Sequence, residues 1–300
     1  MITRLTSSAS NKQILTDLQV AGRNLADIQN QLTTGRRINK MSDAPSDAVS
    51  SLTQRASLHR NDQFARNIGE ANDWLGLQDS ALSSVNDKLT SVRTLLLQAQ
   101  SGTQTPSSRQ AIADQISAIR DSLLADANAQ RLGRPLFGGT TAGAAAFDAA
   151  GNYIGDNGNV DVPVSPNTTL TVNHTGPNVF GTHNVGTPTN GDVFQVLAQL
   201  AISVQTGDTS AMTAGISQVD TATDRVATAQ VQIGSRVNQL DGLKAANDNA
   251  SVTLKSAISQ IEDVDLADSL VALKTREAGY QAALQATSRV VQLSLMDFLK

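Results

Sequence analysis

Two apolar ladders, one near each end of the chain, restrict its fold more than any other feature. Ile14, Leu18, Ala21, Leu25, Ile28 and Leu32 follow one another at alternating steps of four and three residues. Leu266, Leu270, Leu273, Tyr280, Leu284, Val291 and Phe298 fall on the same lattice, with Glu277, Thr287 and Ser294 as its polar members. A repeat near 3.5 residues keeps one stripe of a helix turned toward a partner helix, so each ladder predicts the seam of a coiled coil. Their placement predicts that the two ends of the chain pair and then face further molecules.

The segments between them are nested. The first helix is expected behind a cap among Ser7, Ser8 and Ser10, and it should stop at Gly35. Residues 33–45 read as a linker, with Ser42 or Asp43 capping the next helix and Pro45 in its first turn. That second helix should run from Ser46 to about Gln100 on Ile68, Ala71, Leu75, Gln78, Leu82, Val85, Leu89, Val92, Leu96 and Ala99, although Gly69 and Gly76 weaken it. A third helix starts behind Thr105 and Pro106 and carries Ile112, Ile116, Ile119, Leu123 and Ala127; the short link predicts that it lies antiparallel to the second.

From Gly138 to Gly191 the texture changes to Gly, Thr, Asn, Asp and Pro. Val160, Val162 and Val164, then Leu170 and Val172, alternate with polar or proline residues at the period of half-buried strands. Helix returns at Asp192 with Val193, Leu197, Leu200, Ala201 and Val204 and stops at Gly207. A last long helix, capped around residues 208–210, carries Val219, Ala222, Val226, Ala229, Ile233, Val237 and Leu240 and extends to Ile261. The acidic run Glu262-Asp263-Val264-Asp265 separates it from the C-terminal ladder. The expected fold is mainly α, with long antiparallel helices in a coiled-coil-like bundle formed by N- and C-terminal segments and a small β-rich insertion. The expected domains are 1–41 with 263–300, 42–137 with 192–262, and 138–191.

Composition narrows the functions. Aromatic residues supply only 3% of the 300 residues, which suits helices in close contact better than a thick globular core. A net charge of -4 gives no global attraction to nucleic acid or to an anionic membrane, so protein partners are expected. The chain has no cysteine, which excludes disulfides and thiolate metal sites. Residues 1–10 lack the apolar segment of a conventional secretory signal and no 18-residue apolar run could span a bilayer, so any exit from the cell is expected by another route.

Chemistry finds no foothold. His59, His174 and His183 have no companion ligands at metal-site spacing and read as solvated surface histidines. The run Gly133-Arg134-Pro135-Leu136-Phe137-Gly138-Gly139-Thr140 has glycine where a phosphate-binding loop needs lysine, and it reads as a backbone turn. Asp156, Asn159 and Asp161 miss calcium-loop spacing and read as a turn. No serine sits in a nucleophile elbow. Neither a cofactor nor an enzymatic activity is expected. Arg36 and Arg37, with Lys40 nearby, form the densest basic spot, read either as a solvated linker or as inter-subunit contacts. Trp74 reads as buried against another helix of the same subunit.

Particular stretches resemble known proteins. Leu32-Thr33-Thr34-Gly35-Arg36-Arg37-Ile38-Asn39, followed by Ser42-Asp43-Ala44-Pro45, resembles the linker after the first helix of bacterial flagellins and their relatives. Residues 133–140, with Phe147 downstream, and the tail Gln292-Leu293-Ser294-Leu295-Met296-Asp297-Phe298-Leu299 are more similar to the hook-associated protein 3 family, which joins hook to filament. Met1-Ile2-Thr3-Arg4 and Pro135 depart from that family's pattern, and the insertion resembles nothing identifiable.

The resemblance implies a structural role at the hook-filament junction of the bacterial flagellum. It implies hook-associated protein 1, flagellin and further copies of this chain as partners, and an export chaperone. The protein would be extracellular, exported unfolded by the flagellar type III route. Its terminal ladders would form an inner core completed on assembly. A short flagellin and a cytosolic coiled-coil regulator are the competing readings.

Overall fold

A computed structural model describes residues 2–101, 104–143, 145–181 and 192–298, with side chains described from residue 12 to residue 288. Seven helices form among these residues: α1 (Ile2–Thr34), α2 (Pro45–Ala99), α3 (Pro106–Ala127), α4 (Gly176–Phe180), α5 (Val193–Thr206), α6 (Thr209–Glu262) and α7 (Leu266–Phe298). Strands β1 (Gln130–Arg131) and β2 (Arg134–Pro135) form one antiparallel pair, and β3 (Asp161–Ser165) and β4 (Thr168–Thr171) another. The chain divides into two compact units, residues 1–60 with 250–300 and residues 61–249.

The central unit is built on the α2 ladder. All ten of its residues from Ile68 to Ala99 are buried, and seven of them are completely shielded from water, from Leu75 and Gln78 to Leu89 and Leu96 among others. They pack in one core with Ile116 and Leu123 of α3, Leu197 and Val204 of α5, and Val219, Val226 and Ile233 of α6. Gln78, the polar rung, is tolerated because its Nε2 donates to the Leu136 carbonyl at 2.8 Å. Gly69 and Gly76 do not break α2.

Polar pairs fix the directions. Arg93 Nε donates to Asp220 at 2.8 Å, Gln100 Nε2 to Thr213 Oγ1 at 3.1 Å and Asn61 Nδ2 to the Asn247 carbonyl at 2.8 Å, so α6 descends as α2 ascends. Lys88 reaches Asp126 and the Ser122 carbonyl, which sets α3 antiparallel to α2 as expected. Helix ends obey their capping residues: Thr105 accepts from Ser108 N, Asp192 from Phe194 N, and Gly207 closes α5 in the left-handed conformation. At the α5–α6 crossing a Cβ on Gly215 would lie 2.0 Å from Leu200 Cδ2, so glycine is required for the approach.

The insertion is seated on the same core through its aromatic residues. Phe147 lies 5.3 Å from Phe180 and 5.1 Å from Phe194, and Phe137 meets Phe180 edge-on at 5.3 Å. Val164 and Leu170 point inward, and Val172 follows β4 into the same core, in keeping with the alternation. Asn173 joins the hairpin to α6. Its Oδ1 accepts from Val160 N at 2.8 Å, its Nδ2 donates to Gly158 O at 2.9 Å, and its own carbonyl accepts from Arg236 at 3.1 Å.

Three expectations need correction. Helix α1 begins at Ile2 and runs through the serines expected to cap it. The start of α2 is capped by neither Ser42 nor Asp43: Ala44 occupies that place, and the Asp43 carboxylate instead accepts from the amides of Asn39 and Lys40 at 3.1 and 2.8 Å. An aspartate two residues before Pro45 satisfies the tight turn behind it sooner than the helix ahead. His174 is not a surface histidine but is 5% exposed, and burial, with the Arg236 charge second, pushes its pKa down to about 4. His59 is exposed as expected, and His183 lies outside the described residues.

Leu89→Ala, at a fully buried rung, should lower the free energy of unfolding by about 2 to 5 kcal/mol, whereas Leu97→Ala, half-exposed on the same helix, should change it by less than about 0.5 kcal/mol. Denaturant titration checks both, and equal effects would contradict the assignment of the ladder to the core.

Candidate assembly interface

The other unit turns at the end of α1. Gly35 takes a φ of +69°, the left-handed geometry that closes a helix without a Cβ penalty, and the chain turns back along α6. Arg37 N donates to the Glu262 carbonyl at 2.6 Å and Val264 N to Gly35 O at 3.1 Å, so the linker and the acidic run between α6 and α7 are pinned to each other. Asp265 then accepts from Ala267 N at 2.9 Å and caps α7. The acidic run read as a break is therefore a joint.

Glu262 is its centre. Arg55 of α2 clasps the carboxylate with both arms, Nε at 2.6 Å and Nη2 on the other oxygen, Ser51 donates its hydroxyl, and Arg36 approaches to 4.0 Å. The Arg55 hydrogen bonds, followed by the Ser51 bond and the two guanidinium charges, outweigh burial and hold the Glu262 pKa down at about 2. Arg37 Nη2 donates to Asp47 at 2.7 Å and to the Ile261 carbonyl at 2.8 Å. Arg36 and Arg37 thus both face partners within their own chain. No local pattern of residues announces the Glu262 cluster, in which Arg55 and Ser51 stand 207 and 211 residues from the glutamate.

Helices α1 and α7 pack antiparallel, with the Tyr280 ring against Gly22, where a Cβ would lie 3.5 Å from Cε2. The ladders meet only in part. Among the described residues Ile28 is the one rung that is buried, at 8% exposure; Ile14, Leu18, Ala21, Leu25, Leu32, Leu273 and Tyr280 are half-buried. Leu266, Leu270 and Leu284 are 57%, 53% and 43% exposed, with Leu15, Val20 and Val271 exposed beside the ladders. On α7 the covered positions include Ser269, Ala272, Glu277, Ala283 and Thr287, so the face turned inward is more polar than the leucine stripe beside it. Val291 and Phe298 belong to α7, but their side chains lie outside the described residues.

Among the described residues no cluster of three His, Cys, Asp or Glu could hold a metal ion, and no helix is long and apolar enough to cross a membrane. What the geometry offers is an apolar face on paired helices, anchored at one end by an ionic joint.

Residues 5–142 match the bacterial flagellin N-terminal helical region, and residues 216–299 match the bacterial flagellin C-terminal helical region. The chain belongs to the flagellin-like family. It is 24% identical over 286 residues to the flagellar hook-associated protein 3 of Salmonella typhimurium, covering 89% of this chain and 90% of that protein. Its fold is shared with FlgL of Bacillus cereus, with a TM-score of 0.59 at 23% identity over 69% of this chain and 99% of that one. It is shared likewise with the flagellar junction protein FlgL of Legionella pneumophila, with a TM-score of 0.58 at 16% identity over 71% and 99%. Within the family, the stretch between the two matched regions contains the aromatic insertion and α5.

Because the folded-state pKa of Glu262 lies below its ordinary 4.5, the joint contributes stability that is complete above that value and is lost as pH falls toward about 2. Protection factors of the Arg37 and Val264 amides, corrected for the intrinsic pH dependence of exchange, should fall across that window, and Glu262→Gln should lower them at neutral pH with the acid-dependent component gone. An unchanged pH profile in the variant would contradict the role given to the carboxylate.

Proposed function

We propose that this chain is the hook-filament junction protein of a bacterial flagellum, a structural component that links hook-associated protein 1 to flagellin. The observation that carries this reading is the contrast in burial between the two units. In the central unit the ladder of α2 is closed by neighbours in the same chain, while the terminal ladders keep a leucine stripe in water after α1 and α7 have paired. An exposed apolar stripe of this extent on a paired helix is suited to burial against other molecules.

In this reading residues 1–41 and 263–300 form the inner core of the assembled junction, residues 42–137 and 192–262 surround it, and residues 138–191 face outward. Ile14, Leu18, Leu25, Ile28, Leu32, Leu266, Leu270, Leu273, Tyr280, Leu284, Val291 and Phe298 are the assembly residues. Arg36 and Arg37 set the angle at which the terminal pair leaves the joint and meet neighbouring copies with their exposed sides. The chain leaves the cell unfolded through the flagellar export channel, kept soluble before that by a chaperone that covers the apolar stripe. A sequence without cysteine suits that route, since no disulfide can form on the way. No catalytic role is part of the proposal.

Leu270→Asp and Leu284→Asp place a charge where the monomer leaves the side chain exposed, so secretion and helicity should be normal. Seating should fail, because burying an unpaired carboxylate at the interface costs several kcal/mol. Cells carrying either variant should export flagellin into the medium from hooks without filaments. Normal filaments would overturn the reading, and a protein that dominates sheared filaments by mass would identify a flagellin instead.

A further inference from the structure

Asparagine followed by glycine occurs twice in the chain, at Asn157-Gly158 in the insertion and at Asn190-Gly191, which is outside the described residues. The pair is chemically unstable, because a glycine without a Cβ lets its amide nitrogen approach the preceding side chain freely. Once deprotonated, that nitrogen attacks the asparagine Cγ. An N–Cγ bond forms, the bond from Cγ to the side-chain nitrogen breaks, and ammonia leaves carrying a proton. Water then opens the five-membered imide at either carbonyl, giving aspartate or isoaspartate, whose backbone runs through the former side chain.

In the folded insertion Asn157 is exposed to water, yet the groups on either side of it are held. Gly158 N donates to Asp156 Oδ1 at 3.0 Å, and Gly158 O accepts from Asn173 Nδ2 at 2.9 Å. Asp156 N donates to Gly138 O at 3.1 Å, and the Asp156 carbonyl accepts from the Tyr153 hydroxyl. Thr140 fixes the carboxylate in turn: its N donates to Oδ1 at 2.6 Å and its hydroxyl to Oδ2. The Thr140 hydroxyl, then the Thr140 and Gly158 amides, hold the Asp156 pKa down at about 2. A Cβ on Gly158 would lie 2.6 Å from Thr140 Cγ2, so the turn keeps its glycine.

We propose that Asn157 is a site of spontaneous deamidation that the Asp156 carboxylate keeps closed while the insertion is folded. The Gly158 N–H points at Asp156, so the lone pair left by its proton would point there too, away from the Asn157 Cγ. A carboxylate beside the nitrogen also opposes formation of the amide anion. The peptides before and after Asn157 are both pinned, so the residue cannot turn to bring nitrogen and Cγ together. Unfolding removes all of these restraints at once. Isoaspartate formed in that state inserts a methylene into the backbone between two pinned peptides, and a chain converted in this way does not rebuild the turn. The Asp156 turn therefore separates chains by the time they have spent unfolded.

Full-length protein incubated folded and in urea, in mildly alkaline buffer, tests this by peptide mapping that resolves the isoaspartyl form. In urea Asn157 should convert at the rate of Asn190, which has the same neighbour. In the folded protein it should convert at least about tenfold more slowly than in urea, the factor that a hydrogen bond to a charged acceptor supplies, and the Gly158 amide should be protected from hydrogen exchange. Asp156→Ala should bring the folded rate close to the rate in urea, with protection of the Val172 amide, which donates to Val160 O at 2.9 Å, showing that the hairpin is intact. Equal rates for wild-type Asn157 folded and in urea would overturn the proposal. So would free exchange at Gly158, or an intact Asp156→Ala hairpin in which Asn157 converts no faster than in wild type. If Asp156→Ala loses the hairpin, the wild-type rate ratio and the Gly158 exchange decide.

Discussion

Two helices in contact share a single seam, and an apolar stripe wider than that seam stays wet. This limit governs the molecule. In the central unit the ladder of α2 shares one core with α3, α5 and α6 and closes to zero accessibility over much of its length. In the terminal unit α1 has α7 as its partner along the ladder, and the leucines of α7 lie on the flank of the contact. At about 25 cal/mol per Å², what the second unit leaves exposed is stabilisation that the proposed assembly would recover.

The joint at Glu262 is what gives that reserve a direction. A lone pair of helices linked by a flexible loop could splay in any orientation. Here Arg55 and Ser51 of α2, the Gly35 turn and the backbone exchange between Arg37 and Glu262 fix the exits of α1 and α7 together. An exposed ion pair contributes little, but this carboxylate is almost fully covered and accepts from three side-chain donors, a geometry in which charge-assisted hydrogen bonds specify position as well as add energy. Structural proteins that assemble by helical seams need both parts, an unfinished surface and a fixed angle of presentation.

Much of this was legible in the residues. Steps of three and four located every long helix, glycine and aspartate at their ends set several boundaries, and the valine alternation located β3. Periodicity failed where the determining contact was remote. His174 looks like any polar residue in a polar loop, and only the approach of α6 buries it. Asp43 resembles a helix cap, yet the tight turn behind it claims the carboxylate first. Glu262 reads as part of a charged break because its partners on α2 lie more than 200 residues away. A ladder also states which side of a helix is apolar without stating how wide the partner is, so the exposed Leu266, Leu270 and Leu284 could be placed on a seam but not on its wet edge.

Amide hydrogen exchange on the free full-length protein and on the same protein in isolated flagella tests the central claim most directly. The account predicts that amides of residues 266–288 and 12–34 exchange much faster in the free chain than those of residues 68–99, and that assembly slows them to the same level. Equal and strong protection of both segments in the free chain would contradict it, since the terminal helices would then be complete without any partner.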